Sequence, residues 1–126
     1  MKLGRRGLAR VRDLLFKERL IRKILKGEKT RTIRKHGRYK VGRVYAVQRK
    51  VGERAVAWIR ITRKQGPKKL GELTDEDVRP DGYSSLSEFK REWRSLYDGW
   101  DPDEVVWLYD FELEGSSAYR SARKRP

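Results

Sequence analysis

The feature that most constrains the fold is an apolar run near the end of the chain, Val105–Leu113 (VVWLYDFEL), with apolar residues on both alternating faces. A strand of this kind must be covered on both sides, which predicts a central position in a sheet or the closing position of a barrel. Elsewhere the sequence is polar: of 126 residues, 40% are charged and 37% are hydrophobic. We therefore expect one compact domain with a small core and no second domain.

In the first half of the chain, the spacing of the apolar residues changes from that of a helix to that of strands. Apolar residues recur at helical spacing over residues 13–26, and Gly27 follows at the position where a glycine commonly ends a helix. Three strands are predicted after this helix, over residues 29–35, 43–49 and 55–62. Gly66-Pro67 predicts a turn, which is expected to end the third of these strands.

The second half predicts two helical segments before the final strand. Thr74 is placed to cap a short helical turn, and Ser85 with Glu88 has the spacing of a capping box that opens a longer helix. The apolar stripe of this helix is formed by Phe89, Trp93, Leu96 and Tyr97. The element order predicts an α+β fold, a small mixed β-barrel flanked by helices and closed by pairing of the first and last elements.

Positive charge is concentrated at the two ends of the sequence. The formal net charge is +15; residues 1–50 carry net +16, residues 51–114 net −5, and residues 115–126 net +4. Such a distribution is typical of a polyanion binder, because each cation that neutralises a phosphate releases condensed counterions. A solvated surface is the alternative reading of a charge run, and a basic amphipathic arm also occurs in membrane-binding and transit segments.

Several classes of function are excluded or disfavoured by composition. The chain has no Cys, and His36 is its single histidine, so disulfides, thiolate zinc sites and cysteine nucleophiles are excluded and a Ser-His triad is disfavoured. No stretch approaches the roughly 18 uninterrupted apolar residues of a membrane span, and the N-terminus lacks the apolar part of a secretory signal. We expect a cytoplasmic protein with no metal, no cofactor and no membrane partner.

The densest group of polar side chains lies at the predicted junction between the first helix and the first strand, over residues 27–34 (GEKTRTIR). On a strand, Thr30, Thr32 and Arg34 share one face, so that two hydroxyls and a guanidinium lie together. A Thr-rich strand with solvated cations accounts for the same composition, because Thr favours strands and Arg favours surfaces. Composition alone leaves both interpretations open.

These residues resemble the signature of the ASCH domains, a family of the PUA-like superfamily. Gly27, Lys29, Thr32 and Arg34 match the G-x-K-x-x-T-x-R pattern, directly after a helix that ends in an apolar pair. The resemblance spans residues 14–114. Further blocks follow in the order found in the family: Tyr39-Lys40-Val41-Gly42, Ala57-Trp58-Ile59-Arg60-Ile61, Leu73-Thr74-Asp75-Glu76-Asp77, Asp81-Gly82-Tyr83, a helix over 86–97 and a strand over 105–111.

The resemblance implies a PUA-like barrel with a cleft that is lined by the signature, and RNA or another nucleic acid as the partner of a monomeric protein. Together with composition, it predicts three regions: the ASCH domain over residues 13–114, flanked by a basic arm over 1–12 and a disordered basic tail over 115–126, which their basic, apolar-poor composition indicates. Cations of the signature region would contact phosphate or base edges, and aromatic side chains would stack on bases. The expected nucleic-acid-binding residues are Lys29, Arg31, Thr32, Arg34, Lys35, Arg38, Trp58, Tyr83 and Trp100.

One branch of ASCH-like proteins suggests an alternative, an amidohydrolase that removes the acetyl group of N4-acetylcytidine and so takes a modified nucleoside. The positions that resemble its catalytic Lys, Thr and acid are Lys29, Thr32 and Asp81. A Thr hydroxyl becomes nucleophilic when a desolvated Lys takes its proton. That branch carries Glu where this chain has Asp81, which is one methylene shorter.

Metal-dependent RNA cleavage is the third possibility that the resemblance implies. The acidic run Asp75-Glu76-Asp77 contains carboxylates of the kind that hold Mg²⁺. The same three acids are also what the first turn of a capped helix favours, because the helix dipole stabilises negative charge there. We expect the second role for them, and a ribonuclease is the least favoured of the three functions.

Overall fold

The computed structural model describes residues 13–117, so the basic arm predicted for residues 1–12 and the tail segment 118–126 lie outside the described residues. None of the helices within the described range is long and apolar enough to cross a membrane. The fold is α+β, as predicted. In chain order its elements are β1 (Asp13–Leu15), α1 (Glu18–Lys26), β2 (Arg31–Arg34), β3 (Val44–Gln48), β4 (Ala57–Lys69), a 3-10 turn (Leu70–Glu72), α2 (Asp75–Val78), α3 (Leu86–Tyr97) and β5 (Val105–Ser116).

The five strands form one mixed sheet in the order β1-β3-β4-β5-β2. β1 is parallel to β3, and the other neighbours are antiparallel. The expected pairing of the first and last elements is not found within the described residues, because β1 and β2 are the edge strands and β1 pairs with β3 instead of β5. The apolar strand β5 lies between β4 and β2, which confirms the central position predicted from its two apolar faces. The sheet places the signature strand β2 at one edge, where Thr32 pairs with Tyr109 and Arg34 pairs with Trp107.

The helix predicted over residues 13–26 is shorter than expected, because its first residues form β1. Leu14 is fully buried and pairs with Val47 of β3, and the Phe16 N–H donates to the Gln48 carbonyl at 3.0 Å. These backbone bonds to a strand more than 30 residues away replace those of a helical turn, so local periodicity does not reveal them. The predicted end of the helix is confirmed, since Gly27 ends α1 in the left-handed conformation at φ 81°.

The third predicted strand is longer than expected, because β4 continues through Gly66-Pro67 to Lys69. The register against β5 shifts between Gln65 and Lys68. A bulge of this kind accommodates a proline, which has no N–H to give to the ladder. A side chain at position 66 would place its Cβ 2.8 Å from the Val106 carbonyl oxygen, so the approach of β5 requires the glycine.

The final strand also extends beyond its predicted end. Ser116 is buried and pairs with Ala57, and the Ser117 N–H donates to the Val56 carbonyl at 3.1 Å. The boundary expected at residue 114 therefore falls inside β5, and residues 115 and 116 belong to the sheet.

The helix α3 begins where its sequence predicts, and only the first half of its predicted apolar stripe is buried. The Ser85 hydroxyl accepts from the Glu88 N–H at 3.2 Å, whereas the Glu88 carboxylate reaches back to the Ser84 N–H at 2.7 Å rather than to Ser85. Phe89 and Trp93 are buried, whereas Leu96 and Tyr97 of the predicted stripe are 50% and 40% exposed. The C-terminal end of α3 therefore carries apolar side chains at the surface.

The core consists of two clusters of buried residues. The first lies between α1 and the sheet and includes Ile24, Tyr39 and Ile59. The second lies under α2 and α3 and includes Val78 and Phe89. Because α1 and α3 belong to different clusters, a space is left between them, and the signature strand β2 reaches it.

Candidate functional site

A cavity of about 350 Å³ lies where the two core clusters meet. Its volume is that of a small-molecule or single-nucleotide pocket rather than a groove for a duplex. Ionic and polar groups from β2 and from the turn after α2 meet aromatic groups from α3. The lining is formed by Leu15, Phe16, Lys17, Leu20, Lys29, Thr32, Ile33, Arg34, Arg49, Asp81, Tyr83, Phe89, Glu92, Trp93, Leu96 and Tyr97.

A buried ion pair joins the signature to the turn after α2. The Lys29 ammonium donates to the Asp81 carboxylate, to the Asp81 carbonyl at 2.9 Å and to the Arg31 carbonyl at 2.8 Å. The Lys29 side chain is 1% exposed and the Asp81 side chain 7%. All three ammonium hydrogens are thus directed at protein oxygens, so this lysine ties β2 to the turn.

Burial sets the electrostatics of this pair. Loss of solvation lowers the pKa of Lys29 and raises the pKa of Asp81, and attraction between the two groups opposes both shifts. The positive charge of Arg34 also lowers the pKa of Lys29. Removing either partner leaves a buried, uncompensated group, which makes the pair important for stability.

Of the three residues expected on one face, Thr32 and Arg34 point into the cavity, whereas Thr30 precedes β2, is exposed and lies outside the lining. Arg34 Nε donates to Thr32 Oγ1 at 2.9 Å, and Arg34 Nη2 donates to the Leu15 carbonyl at 3.2 Å. The centre of the guanidinium lies 4.8 Å from the Phe16 ring centroid. The guanidinium is therefore held in place by neutral groups.

Arg34 differs from the other cations of the cavity in its partners. Lys17, Lys29 and Arg49 each pair with a carboxylate, at Glu92, Asp81 and Glu18 respectively. Across residues 13–117, no carboxylate lies within ion-pair distance of the Arg34 guanidinium, which makes its charge available to a ligand.

The aromatic part of the lining comes mainly from α3. Phe89, Trp93 and Tyr97 are spaced four residues apart and therefore lie along one ridge of the helix. The Trp93 and Tyr97 ring centroids are 4.4 Å apart. The Trp93 indole N–H is buried and has no acceptor among the residues that the structure describes. Tyr83 contributes a fourth ring, packed edge to face on Phe89 at 5.5 Å, and burial raises its pKa.

One carboxylate links the two sides of the cavity. Glu92 of α3 accepts from Lys17 Nζ at 2.9 Å and from Arg19 Nη2 at 2.5 Å, both at the start of α1. The two cations are about half exposed, at 47% and 49%, whereas Glu92 is 14% exposed. The contacts therefore span the space between α1 and α3.

Two cations of the signature region lie outside the cavity lining. Arg31 faces the other side of β2, where Nε donates to the Asp110 carboxylate at 2.6 Å and Nη1 to the Asp77 carbonyl at 3.0 Å. Lys35 pairs with Glu104 at 3.2 Å, and its ammonium lies 4.0 Å from the Tyr97 ring centroid. Both already have anionic partners within the protein.

Three further predicted residues are also outside the lining. Arg38 is exposed on the connection between β2 and β3, and Trp58 is half-buried on β4, paired with Ala46. Trp100 packs edge to face on Phe89 at 6.2 Å, with the Lys90 ammonium 5.1 Å from its ring. Of the predicted residues, the structure thus brings together Lys29, Thr32, Arg34, Asp81 and Tyr83.

Several residues of the cavity are not predicted by the sequence. Phe16, Lys17, Arg49 and Glu92 come from segments that share no motif, and the helical stripe predicts a core position for Trp93. The available signal is the four-residue spacing of Phe89, Trp93 and Tyr97, which predicts one helix face but not what covers it.

The acidic run before α3 has helix-capping partners. Asp77 and Thr74 form a reciprocal capping box, in which the Thr74 N–H donates to the Asp77 carboxylate at 2.9 Å and the Asp77 N–H to Thr74 Oγ1 at 3.2 Å. Asp75 accepts from the Leu86 N–H at 2.7 Å. Within residues 13–117 no group of three or more His, Asp or Glu side chains could hold a metal ion.

Three solved structures share this fold. Protein EF3133 from Enterococcus faecalis V583, of the family model DUF984, has a TM-score of 0.60 at 18% identity, with 82% of this chain and 80% of that chain covered. An ASCH domain from Lactobacillus crispatus JV V101 has a TM-score of 0.63 at 17% identity, covering 75% and 69%. The hypothetical protein PH0355 has a TM-score of 0.62 at 15% identity, covering 80% and 96%.

Sequence comparison adds no closer relationship, since no family model and no curated protein matches the chain. The agreement with the three structures extends over most of the chain and includes the mixed five-stranded sheet and its helices. The chain therefore has the fold of the ASCH domain.

Proposed function

We propose that this chain is an ASCH-family protein that binds RNA and takes one nucleotide of a single-stranded segment into the cavity. The observation that carries the proposal is Arg34, a cation of the lining that has no carboxylate partner among the described residues. A planar guanidinium recognises a phosphate, or the O6 and N7 edge of guanine, through two parallel hydrogen bonds.

The surroundings of Arg34 support this role. The Phe16 ring and the oxygens of Thr32 and Leu15 orient the guanidinium before a ligand arrives. A side chain that is already oriented loses little conformational entropy on binding, which favours affinity.

The aromatic residues of the lining support binding of a base. Phe16, Tyr83, Trp93 and Tyr97 all belong to the lining, and Tyr97 is 40% exposed. Stacking of a base on an aromatic side chain contributes about 1–3 kcal/mol and tolerates any base.

The overall charge supports a polymeric ligand. The first 50 residues carry net +16, far more than the cavity itself holds. Contacts of these cations with several phosphates would release counterions and make the affinity depend steeply on salt.

The test compares two arginine variants for binding to a fluorescent single-stranded RNA. We expect Arg34→Ala to weaken binding about tenfold to a hundredfold, the equivalent of removing a base-edge or phosphate interaction of about 1–3 kcal/mol. Arg22→Ala is the control, since Arg22 is 68% exposed on α1 and outside the cavity lining. Equal losses in both variants would indicate diffuse attraction and contradict binding in the cavity.

A salt series on the unmodified protein completes this test. The affinity should fall by orders of magnitude between about 50 and about 200 mM salt if several phosphates are contacted. An affinity that stays constant over this range would contradict a nucleic-acid polymer as the ligand.

A second candidate function is the N4-acetylcytidine amidohydrolase, favoured by one specific observation: Lys29, Thr32 and Asp81 line the same cavity. In that reaction Thr32 Oγ would attack the acetyl carbonyl carbon as Lys29, in its neutral amine form, takes the hydroxyl proton. The bond between the acetyl carbon and the cytosine nitrogen would then break, and the Lys29 ammonium would return this proton to the leaving amine. Water would then hydrolyse the acetyl ester. Burial lowers the pKa of Lys29, which is the direction a base requires, although its three hydrogens are engaged with Asp81 and Arg31.

Incubation with N4-acetylcytidine tests the second candidate. Deacetylation by the unmodified protein, abolished in Thr32→Ala and kept in Thr30→Ala, would establish it, because Thr30 is exposed outside the cavity lining. Absence of conversion by the folded protein would remove this activity and leave RNA binding.

A further inference from the structure

The connection between β2 and β3, residues 36–43, has no regular secondary structure, yet buried tyrosines fix its position. Tyr39 is buried, and its ring packs edge to face on Tyr45 at 4.9 Å and on Tyr109 at 5.2 Å. The Tyr109 hydroxyl donates to the His36 carbonyl at 2.7 Å, and the Lys40 N–H donates to the Tyr45 hydroxyl at 2.8 Å. We call residues 36–43 the tyrosine-anchored loop.

Two glycines hold the ends of this loop against the sheet. A Cβ at Gly37 would lie 2.8 Å from Trp107 Nε1, so the loop contacts β5 too closely for a side chain at this position. Gly42 has φ +89°, and its N–H donates to the Ile61 carbonyl at 2.7 Å. The loop is thus attached to β4 and β5, and side chains on its outer face have a fixed base.

Four exposed cations lie on this outer face and on the adjacent strand. Arg38, Lys40 and Arg43 belong to the loop, and Lys64 of β4 donates to the Gly37 carbonyl at 2.5 Å. Throughout residues 13–117 no carboxylate is within ion-pair distance of any of the four. Arg60 of β4, by contrast, pairs with Glu114 at 3.1 Å.

The charges of these cations and of a cavity cation act together at His36. The His36 imidazole has a pKa lowered to about 4, first by burial and then by the positive charges of Arg38, Arg34 and Lys64. One imidazole thus lies within the influence of a cavity cation and of two cations of the loop surface. Arg34 and His36 are also only two residues apart, so the end of β2 leads from the cavity directly into the loop.

We infer that the tyrosine-anchored loop and Lys64 form a phosphate-binding surface, over which the nucleic-acid backbone passes as it leaves the cavity. The inference rests on the proposed function and extends it from one nucleotide to the neighbouring phosphates. Unpaired cations on a rigid support suit phosphates, because each contact releases counterions without breaking an ion pair within the protein. No base-reading group is required there, so this surface contributes affinity irrespective of sequence.

The experiment uses two mixed-sequence single-stranded RNAs, a trinucleotide and an oligomer of about 12 nucleotides, which lies within the site size of single-strand binders. The loop variant combines Arg38→Gln, Lys40→Gln, Arg43→Gln and Lys64→Gln. The control variant removes the same charge from exposed cations that also lack carboxylate partners, through Lys26→Gln, Lys50→Gln, Arg54→Gln and Arg91→Gln. A third variant changes only Arg38, Lys40 and Arg43 to Gln. It keeps Lys64, because the Lys64 ammonium also donates to the Gly37 carbonyl.

The loop variant should bind the trinucleotide like the unmodified protein and bind the longer RNA more weakly. The slope of log affinity against log salt for the longer RNA should become shallower by about 0.7 for each phosphate that the loop variant no longer neutralises. The same slope should change less in the control variant. The inference would be overturned if the affinity for the longer RNA changed equally in the loop and control variants, or did not change in the loop variant. Binding of the trinucleotide in the same experiment would still support the cavity as the binding site. Failure of the unmodified protein to bind either RNA would overturn the proposed function and the inference together.

Discussion

Two cations of the same signature, five residues apart, lie in opposite environments. Lys29 is buried at one side of the cavity, and its three hydrogens go to Asp81 and to the Arg31 carbonyl. Arg34 faces the cavity, is held only by neutral groups, and has no carboxylate partner within the described part of the chain. The comparison teaches that one short segment can contain both a cation that is engaged in a buried ion pair and a cation that has no carboxylate partner among the described residues.

The chemistry of each side chain fits its environment. An ammonium offers three donors around one atom, which suits the three oxygens that converge on Lys29. A guanidinium is planar and forked, so Arg34 can lie on the Phe16 ring and still present an edge to a ligand. Exchange of the two residue types would therefore impair both roles.

The largest expected effect comes from breaking the buried pair. Asp81→Asn should lower the free energy of unfolding by about 3–5 kcal/mol, because it leaves the Lys29 charge buried without a carboxylate. Urea denaturation measures this loss. Asp103→Asn is the control: Asp103 is 82% exposed and pairs with Lys69, so its change should be less than about 1 kcal/mol. Similar values for both variants would contradict the structural role of the pair.

A smaller effect is expected from the support of the loop. Gly37→Ala should cost about 1–3 kcal/mol of stability and weaken binding of the longer RNA, because the added methyl overlaps Trp107 and displaces the loop. Gly115→Ala provides the comparison, since a Cβ at that position of β5 meets no atom within 4 Å. Thermal unfolding distinguishes the two, and a Gly37→Ala protein as stable as Gly115→Ala would show that the loop is not held as described.

A pH dependence should follow from His36. Its pKa is about 4 in the folded protein and 6.5 ordinarily, so between these values the unfolded chain binds more protons. Stability contributed by neutral His36 is therefore complete above about pH 6.5 and falls as the pH decreases towards 4. The measurement is the urea midpoint of the unmodified protein minus that of His36→Asn across this range. A difference that does not change with pH would mean that burial and the charges of Arg38, Arg34 and Lys64 do not lower the pKa of His36.

The smallest effect on stability is expected at the link between α1 and α3. Glu92→Gln should cost less than about 1 kcal/mol, because Lys17 and Arg19 are half exposed. Its affinity for RNA should increase, since two cations beside the cavity lose their carboxylate. Glu114→Gln serves as the control, because Glu114 pairs with Arg60 and both residues lie outside the cavity lining. Weaker RNA binding by Glu92→Gln would contradict a competition between Glu92 and phosphate.

Much of the fold could be predicted from local sequence patterns. The central position of β5, the end of α1 at Gly27 and the cap at Thr74 each depend on a few consecutive residues. β1 and the extension of β4 could not be predicted in the same way. Leu14 forms a strand because β3 is available to pair with it, and β4 passes Gly66-Pro67 because a bulge against β5 accommodates them.

The site was predictable on β2 and much less so elsewhere. The alternation of a strand places Thr32 and Arg34 on one face whatever the tertiary structure. The pairing of Arg31 with Asp110 could not be predicted, because it depends on the register between β2 and β5 and these two residues are 79 positions apart in the chain. The aromatic lining from α3 likewise depends on how helices pack across the sheet, which periodicity does not determine.

The most direct measurement of the central claim is an NMR titration of the arginine side-chain Nε–H resonances with a trinucleotide RNA. Arg31 and Arg34 lie on opposite faces of one strand, so each serves as the reference for the other. The structure predicts that the Arg34 resonance shifts with RNA concentration and the Arg31 resonance stays in place. A shift of Arg31 without Arg34, or of neither, would contradict the assignment of Arg34 as the cation that binds the ligand.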